Sequence, residues 1–203
     1  YEKEISINKF SNTINYQELD DFLNNNIFKI EKIIDKFIEK IVVILDLDQF
    51  FSVQLSIKKK DFDNLIDVNN LTHLIKEAKE SCEKTISGRS IVHLIIKNYK
   101  IDNKNYTSLP KNPDFKNFSI DLEFICLSNQ IIRNLEEILN KYQISLTQVV
   151  NATYVREFCD NEENHNIFMM TKKILSGHNL NEVIMVDKGK KNLSFFEKFF
   201  NFF

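Results

Sequence analysis

The chain has 203 residues, and its 43% hydrophobic and 28% charged residues suit a domain with a buried core rather than a disordered tail. Its net charge of −2 gives no basic excess, which argues against a nucleic-acid partner. Three widely separated glycines exclude a glycine-rich phosphate-binding loop from this segment, and an odd count of three cysteines fits a reducing cytosol better than a disulfide framework.

The first predicted element is a long amphipathic helix that starts near Leu19. Its apolar residues recur at spacings of three and four, which places them on one helix face. These residues are Leu19, Phe22, Leu23, Ile27, Ile30, Ile34, Phe37 and Ile41. Residues 41–45 then predict a buried strand, and the alternating residues 51–58 predict a half-exposed strand. The short connection between these strands favours antiparallel pairing.

The middle of the chain predicts a helix followed by two strands. Asp67 is placed to cap a helix over residues 68–83, whose apolar residues share one face. Residues 91–99 are apolar on both faces, as in a central strand, and residues 118–127 form a further strand. A turn is predicted at residues 103–105, where asparagines flank a lysine.

A second helix and several shorter elements follow. Ser128 is a favourable N-cap for a helix over residues 129–142. Residues 144–155 predict one strand or two. Residues 167–175 predict a short helix, and residues 183–186 predict a short strand.

This order of elements predicts an α+β fold with a mixed or antiparallel sheet. The strands over residues 51–58, 91–99 and 118–127 should lie in one sheet. The helices over residues 68–83 and 129–142 should both pack on that sheet, because each has a single apolar stripe.

The helix at Leu71–Lys79 is followed by a strand at Val92–Asp102 that carries the pattern H-x-I-x-x-x-Y-x-I-D. Both segments resemble parts of the FtsA family of bacterial cell-division proteins, in which a similar pattern occurs. The stretch from Leu122–Cys126 through Asn134–Val149 is similar to the strand–helix–strand that closes the inserted subdomain of FtsA, which is of SHS2 type. Residues 19–57 resemble the helix and strand pair before that insertion.

The resemblance implies four parts along the chain. Residues 1–60 would form an N-terminal helix and strand pair, and residues 61–158 an SHS2-like interaction domain. Residues 159–192 would be a linker with a short helix and strand, and residues 193–203 an amphipathic membrane-targeting helix.

The chain also departs from the FtsA pattern. FtsA binds ATP between glycine-rich hairpins, whereas this chain continues after Val155 into the acidic stretch Asp160–Asn164 without adjacent glycines. The subdomain that grips the FtsZ tail in typical members is also not found. We therefore carry over neither ATP binding nor the FtsZ pocket, and we expect no cofactor.

The terminal residues 193–203 predict a helix that lies on a membrane surface. At 3.6 residues per turn, Ser194, Glu197, Lys198 and Asn201 share one polar sector, and the apolar residues fill the opposite half. The predicted membrane-binding residues are Lys188, Lys190, Lys191, Leu193, Phe195, Phe196, Phe199, Phe200, Phe202 and Phe203. The alternative is a helix docked on the protein's own core.

No residue pattern predicts a catalytic or metal site. His73 and Cys82 are too far apart on one helix to chelate a metal. His93 and Cys126 lie on different strands that could bring them together, but two ligands do not make a zinc site.

Two charged stretches are better explained as solvent-exposed segments. Asp46 and Asp48 suit a solvated turn at a strand end rather than a catalytic acid pair. Lys58, Lys59 and Lys60 suit a solvated loop, with contact to acidic lipid or a partner as the alternative.

These features predict a non-catalytic scaffold of the division machinery, peripheral on the cytoplasmic face of the inner membrane. Its expected partners are division proteins (FtsZ or late divisome components), the lipid surface, and a second copy bound through a sheet edge or a helical face. The alternatives are an adaptor of the related PilM type in pilus assembly, a soluble oligomerisation module, and an enzyme with an unrecognised cleft.

Overall fold

The computed structural model describes residues 14–59, 68–110, 117–158 and 166–184, and in this part the chain is an α+β protein, as predicted. The elements are α1 (Tyr16–Ile34), β1 (Lys40–Leu45), β2 (Phe51–Lys59), α2 (Val68–Thr85), β3 (Arg89–Ile101), β4 (Lys104–Tyr106), β5 (Phe118–Ser128), α3 (Asn129–Lys141), β6 (Ser145–Asn151), α4 (Ala152–Phe158) and α5 (Ile167–Leu175). The predicted cap Asp67 lies outside the described residues.

The chain divides into two compact units. Unit 1 comprises Tyr1–Phe50 and Leu127–Ile174, and unit 2 comprises Phe51–Cys126 and Leu175–Phe203. The chain therefore leaves unit 1 after Phe50, returns to it at Leu127 and leaves it again after Ile174.

Helix α1 opens unit 1 and is shorter than its apolar stripe predicts. Asn15 caps it by accepting a hydrogen bond from the Glu18 amide at 3.2 Å. Asp35 takes a left-handed conformation, with φ of 52°, and ends the helix before the predicted stripe is complete. Phe37 is consequently 79% exposed, and Ile41 lies in β1.

The predicted antiparallel pairing of residues 41–45 with 51–58 is wrong. β1 pairs in parallel with β6, from Lys40 opposite Ser145 to Leu45 opposite Asn151, with one irregularity after Ile41. A continuous apolar run such as that of β1 is typical of a parallel strand covered on both faces. The short connection to β2 therefore joins two sheets rather than forming a hairpin.

Helix α3 belongs to unit 1, which corrects its predicted place on the large sheet. It packs against β6 and α1, and Ile138 and Leu139 form a buried cluster with Leu23 and Ile144. Its N-cap is confirmed, because the Ser128 hydroxyl accepts a hydrogen bond from the Gln130 amide at 3.2 Å.

The predicted strand over residues 144–155 ends at Asn151, and α4 follows directly. The side chain of Asn151 accepts hydrogen bonds from the amides of Thr153, at 2.8 Å, and Tyr154, at 3.4 Å. This side chain acts as an N-cap, so it turns an apolar stretch from strand to helix. The short helix predicted over residues 167–175 is confirmed as α5.

Unit 2 contains a four-stranded sheet in the order β2-β5-β3-β4. The prediction that residues 51–58, 91–99 and 118–127 share one sheet is confirmed, as is the central position of β3. Helix α2 packs on this sheet through β2 and β3. The core between them includes Leu74, Ile75, Leu94, Ile96, Phe118, Ile120, Leu122 and Phe124.

The end of β3 turns tightly into β4. Asp102 and Asn103 both have positive φ, 46° and 67°, as in a two-residue hairpin of type I′. The turn therefore lies one residue earlier than predicted, because Lys104 already pairs with Ile101.

The strand predicted over residues 183–186 is reduced, within the described part of the chain, to one bridge. Glu182 pairs with Ile95 in antiparallel fashion. The Val183 amide donates to the Leu94 carbonyl oxygen at 2.8 Å.

Candidate functional surface

The predicted membrane-binding residues lie outside the described residues. They are Lys188, Lys190, Lys191, Leu193, Phe195, Phe196, Phe199, Phe200, Phe202 and Phe203. Among the residues that are described, no helix combines the length and apolar character that crossing a membrane requires. The same residues hold no group of three or more His, Cys, Asp or Glu side chains placed to bind a metal ion.

The surface that the structure does define is the unit 2 sheet at strand β2. Nine residues of β2 pair with β5 in an unbroken antiparallel register, from Phe51 opposite Cys126 to Lys59 opposite Phe118. Alternate side chains of β2 point to opposite faces. Val53, Leu55 and Ile57 are half-buried against the core, and Ser52, Gln54, Ser56 and Lys58 are exposed on the other face.

Two cross-strand contacts tie this polar face together. The Ser52 hydroxyl donates to Glu123 at 2.6 Å, and Lys97 approaches the other oxygen of that carboxylate at 3.0 Å. Four residues along β2, the Ser56 hydroxyl donates to Asp121 at 2.5 Å, and Lys100 Nζ lies 2.7 Å from the other oxygen of that carboxylate.

Both carboxylates are stabilised in their charged form. Burial raises the pKa of Glu123, but the hydrogen bonds from Ser52 and Lys97 outweigh it and leave the pKa below its ordinary value. The pKa of Asp121 is lowered in the same way, because hydrogen bonds from Lys100 and Ser56 outweigh the opposing effect of burial. These contacts bind β2 to β5 and hold the strand extended.

This arrangement predicts how acid acts on Glu123. A carboxylate with a lowered pKa in the folded state stabilises the fold above its unfolded pKa, and this contribution is lost as the pH falls. Urea unfolding should therefore show Glu123→Gln less stable than the natural chain at about pH 6, with the difference shrinking toward about pH 3. A difference that does not change with pH would contradict this role for Glu123.

The outer side of β2 has no strand partner among the described residues, since β2 ends the sheet. The opposite edge is different. There β3 is flanked by β4 near Tyr99 and by Glu182 at Ile95. β2 is thus the long open edge of this sheet within the part of the chain that is described.

The buried polar groups of unit 2 have partners of their own. His93 and Glu182 lie 2.7 Å apart between Nδ1 and Oε1, with side chains 0% and 5% exposed. The Cys126 thiol donates to the Phe124 carbonyl oxygen at 3.7 Å, and burial raises the pKa of Cys126 to about 12. The contacts shown for His93 and Cys126 are therefore with Glu182 and Phe124 rather than with each other.

Asp46, Asp48, His73 and Lys58, the other charged or titratable residues singled out in the sequence, lie on the surface, whereas Lys60 lies outside the described residues. Asp46 follows β1 and forms a bidentate ion pair with Arg156, with nitrogen–oxygen distances of 2.6 and 3.0 Å. The hydrogen bonds from Arg156 lower the pKa of Asp46. His73 faces Glu77 one turn along α2, with both side chains more than half exposed. Lys58 is exposed on β2.

Sequence reasoning did not identify the Ser52–Glu123 and Ser56–Asp121 contacts. The alternation of polar residues in each strand was visible. The register places Ser56 opposite Asp121 and Ser52 diagonal to Glu123. It joins residues far apart in sequence, and no local pattern encodes it.

Neither protein-family models nor curated proteins yield a match to this chain.

Proposed function

We propose that this chain is a non-catalytic scaffold of bacterial cell division that lies on the cytoplasmic face of the inner membrane. The observation that carries the proposal is the open edge of β2, which offers a row of backbone hydrogen-bonding groups to a protein strand. The resemblance of Leu71–Lys79, Val92–Asp102 and Asn134–Val149 to FtsA supports the division role.

Residues 193–203 would supply the membrane contact. Their apolar half carries six phenylalanines, and Lys188, Lys190 and Lys191 precede it. Each lysine near an anionic surface contributes about 1 kcal/mol. Each well-placed phenylalanine, sunk partway into the interface, contributes about half of the roughly 1.5–3 kcal/mol of full burial. Ordering a short helix costs backbone entropy, so one such segment is a weak, reversible anchor.

The membrane role predicts a loss of vesicle binding in a specific variant. Phe196→Glu/Phe199→Glu should weaken binding to anionic vesicles about 10- to 100-fold, because it removes two rings from the apolar half and adds two charges there. Vesicle sedimentation measures this. Ser194→Glu/Asn201→Glu is the matched control, since it adds the same charge on the polar sector and should retain most of the binding.

Retained vesicle binding by the phenylalanine variant would refute the membrane role. The same variant separates the scaffold from a soluble oligomerisation module. If residues 193–203 bury their rings in a neighbouring copy, the change will disrupt assembly in the absence of lipid and leave vesicle sedimentation unaffected.

The division role has its own test. A fluorescent fusion of the chain should concentrate at the division site, together with FtsZ or a later division protein. An even distribution along the cell membrane would contradict the division role and leave membrane attachment standing. Concentration at pilus-assembly sites would favour the PilM-like alternative.

A further inference from the structure

Residues 51–57 of the open β2 edge lack the features that normally protect an edge strand, and only the end of the strand carries lysines, Lys58 and Lys59. Natural edges are blocked by charged side chains, proline, bulges or short length. Residues 51–57, Phe-Ser-Val-Gln-Leu-Ser-Ile, contain no charge, proline or glycine. Their register with β5 is continuous, without a bulge. The opposite edge of the sheet is protected against pairing, because β4 has only three residues and begins with Lys104.

The sequence of β2 is also complementary to itself. In an antiparallel pair related by a two-fold axis at Leu55, the whole strand from Phe51 to Lys59 finds a partner. Val53 then faces Ile57, Gln54 faces Ser56, and Ser52 faces Lys58. Apart from the end pair, in which Phe51 faces Lys59, each apolar side chain meets an apolar one and each polar side chain meets a polar one, and Lys58 does not face Lys58 of the second copy.

The pairing of apolar with apolar residues depends on where the two-fold axis lies along the strand. Side chains alternate between faces, so moving the two-fold axis to a point between two residues would place each apolar residue opposite a polar one. Axes at Gln54 or Ser56 keep the faces but pair fewer residues of β2. The axis at Leu55 is the one that uses the full strand.

We propose that β2 binds β2 of a second copy of this chain in antiparallel register about Leu55, which joins two four-stranded sheets into one. The half-buried Val53, Leu55 and Ile57 would cover each other across the junction. Ser52 and Ser56 already hold β2 against β5 through Glu123 and Asp121, so pairing requires little further ordering of the strand. This pairing does not depend on the division role.

The proposal is tested by an engineered charge conflict and its reversal. Ser52→Lys places a lysine opposite Lys58 of the second copy, and the symmetry repeats the conflict. We expect it to raise the dissociation constant of the dimer about tenfold. The double variant Ser52→Lys/Lys58→Glu places opposite charges at both of these contacts and should restore dimerisation. Lys58→Glu alone, which faces Ser52, should leave the dimer intact.

The measurement is analytical ultracentrifugation of the full chain without lipid, from low-micromolar to submillimolar concentration. All variants carry Phe196→Glu/Phe199→Glu, so that association through the terminal residues does not contribute. Circular dichroism and thermal unfolding check that each variant is folded. Rescue by Lys58→Glu distinguishes a lost interface from a damaged fold.

Three results would overturn the proposal. One is a parent chain that stays monomeric over the whole range. Another is a dimer that Ser52→Lys leaves unchanged. The third is a Ser52→Lys defect that Lys58→Glu does not repair in a folded double variant. None of these results bears on vesicle binding or on concentration at the division site, so the proposed function is judged separately.

Discussion

Replacing Leu135 by alanine should destabilise the folded chain by about 2–5 kcal/mol. Leu135 lies on α3 with 1% of its surface exposed, and α3 packs against β6 and α1. Removing a fully buried isobutyl group loses its transfer free energy and leaves a cavity that the surrounding helices and strands fill only in part. Urea unfolding followed by circular dichroism measures the change.

A neighbouring position on α3 supplies the control for Leu135. Glu136 is exposed, so Glu136→Ala should change the free energy of unfolding by no more than about 0.5 kcal/mol. If Leu135→Ala costs as little as Glu136→Ala, the packing of α3 in unit 1 is wrong. A large cost for both would indicate that the helix itself, rather than its buried face, is sensitive.

The second large effect is expected at the buried pair of His93 and Glu182. Glu182→Leu keeps the approximate size of the side chain but removes the oxygen that lies 2.7 Å from His93 Nδ1. A buried polar atom that loses its partner costs about 1–3 kcal/mol. Glu182→Gln retains an amide that can still hydrogen-bond the ring, so it should cost clearly less.

A double-mutant cycle isolates this interaction. If the pair is coupled, His93→Leu/Glu182→Leu will be less destabilised than the sum of the two single changes, because neither polar group is then left without its partner. Strict additivity would show that the contact between Nδ1 and Oε1 contributes nothing to stability.

The sequence predicted elements that depend on local periodicity or capping. The strands over residues 51–58, 91–99 and 118–127 and the cap at Ser128 are of this kind. Prediction from the sequence failed where contacts between distant residues determine the structure. The apolar run of β1 is typical of a parallel strand, but nothing local identifies β6 as its partner, so the short connection to β2 is wrongly predicted to be a hairpin.

Local polar groups account for the errors at element boundaries. Asp35 and Asn151 end α1 and β6 inside apolar stretches whose periodicity predicts continuation. The candidate surface at β2 was likewise predicted only in part. The alternation in β2 predicted a half-exposed strand, but its position at the sheet edge follows from the pairing order β2-β5-β3-β4, which the alternation does not contain.

The position of Phe51–Cys126, the larger part of unit 2, between β1 and β6 has a consequence for the order of folding. Parallel pairing of β1 with β6 must close a loop that contains β2, β3 and β5, and a free loop of that length carries a large entropic cost. Within unit 2, however, Phe51 at the start of β2 lies directly opposite Cys126 near the end of β5. Once that ladder forms, the two ends of the inserted segment are already adjacent, and what remains to be ordered is the short connection from β1 to β2 and the segment with α3 that leads from β5 to β6. Assembly of the β2–β5 ladder should therefore precede and accelerate completion of unit 1, so a change that slows the ladder would delay both units.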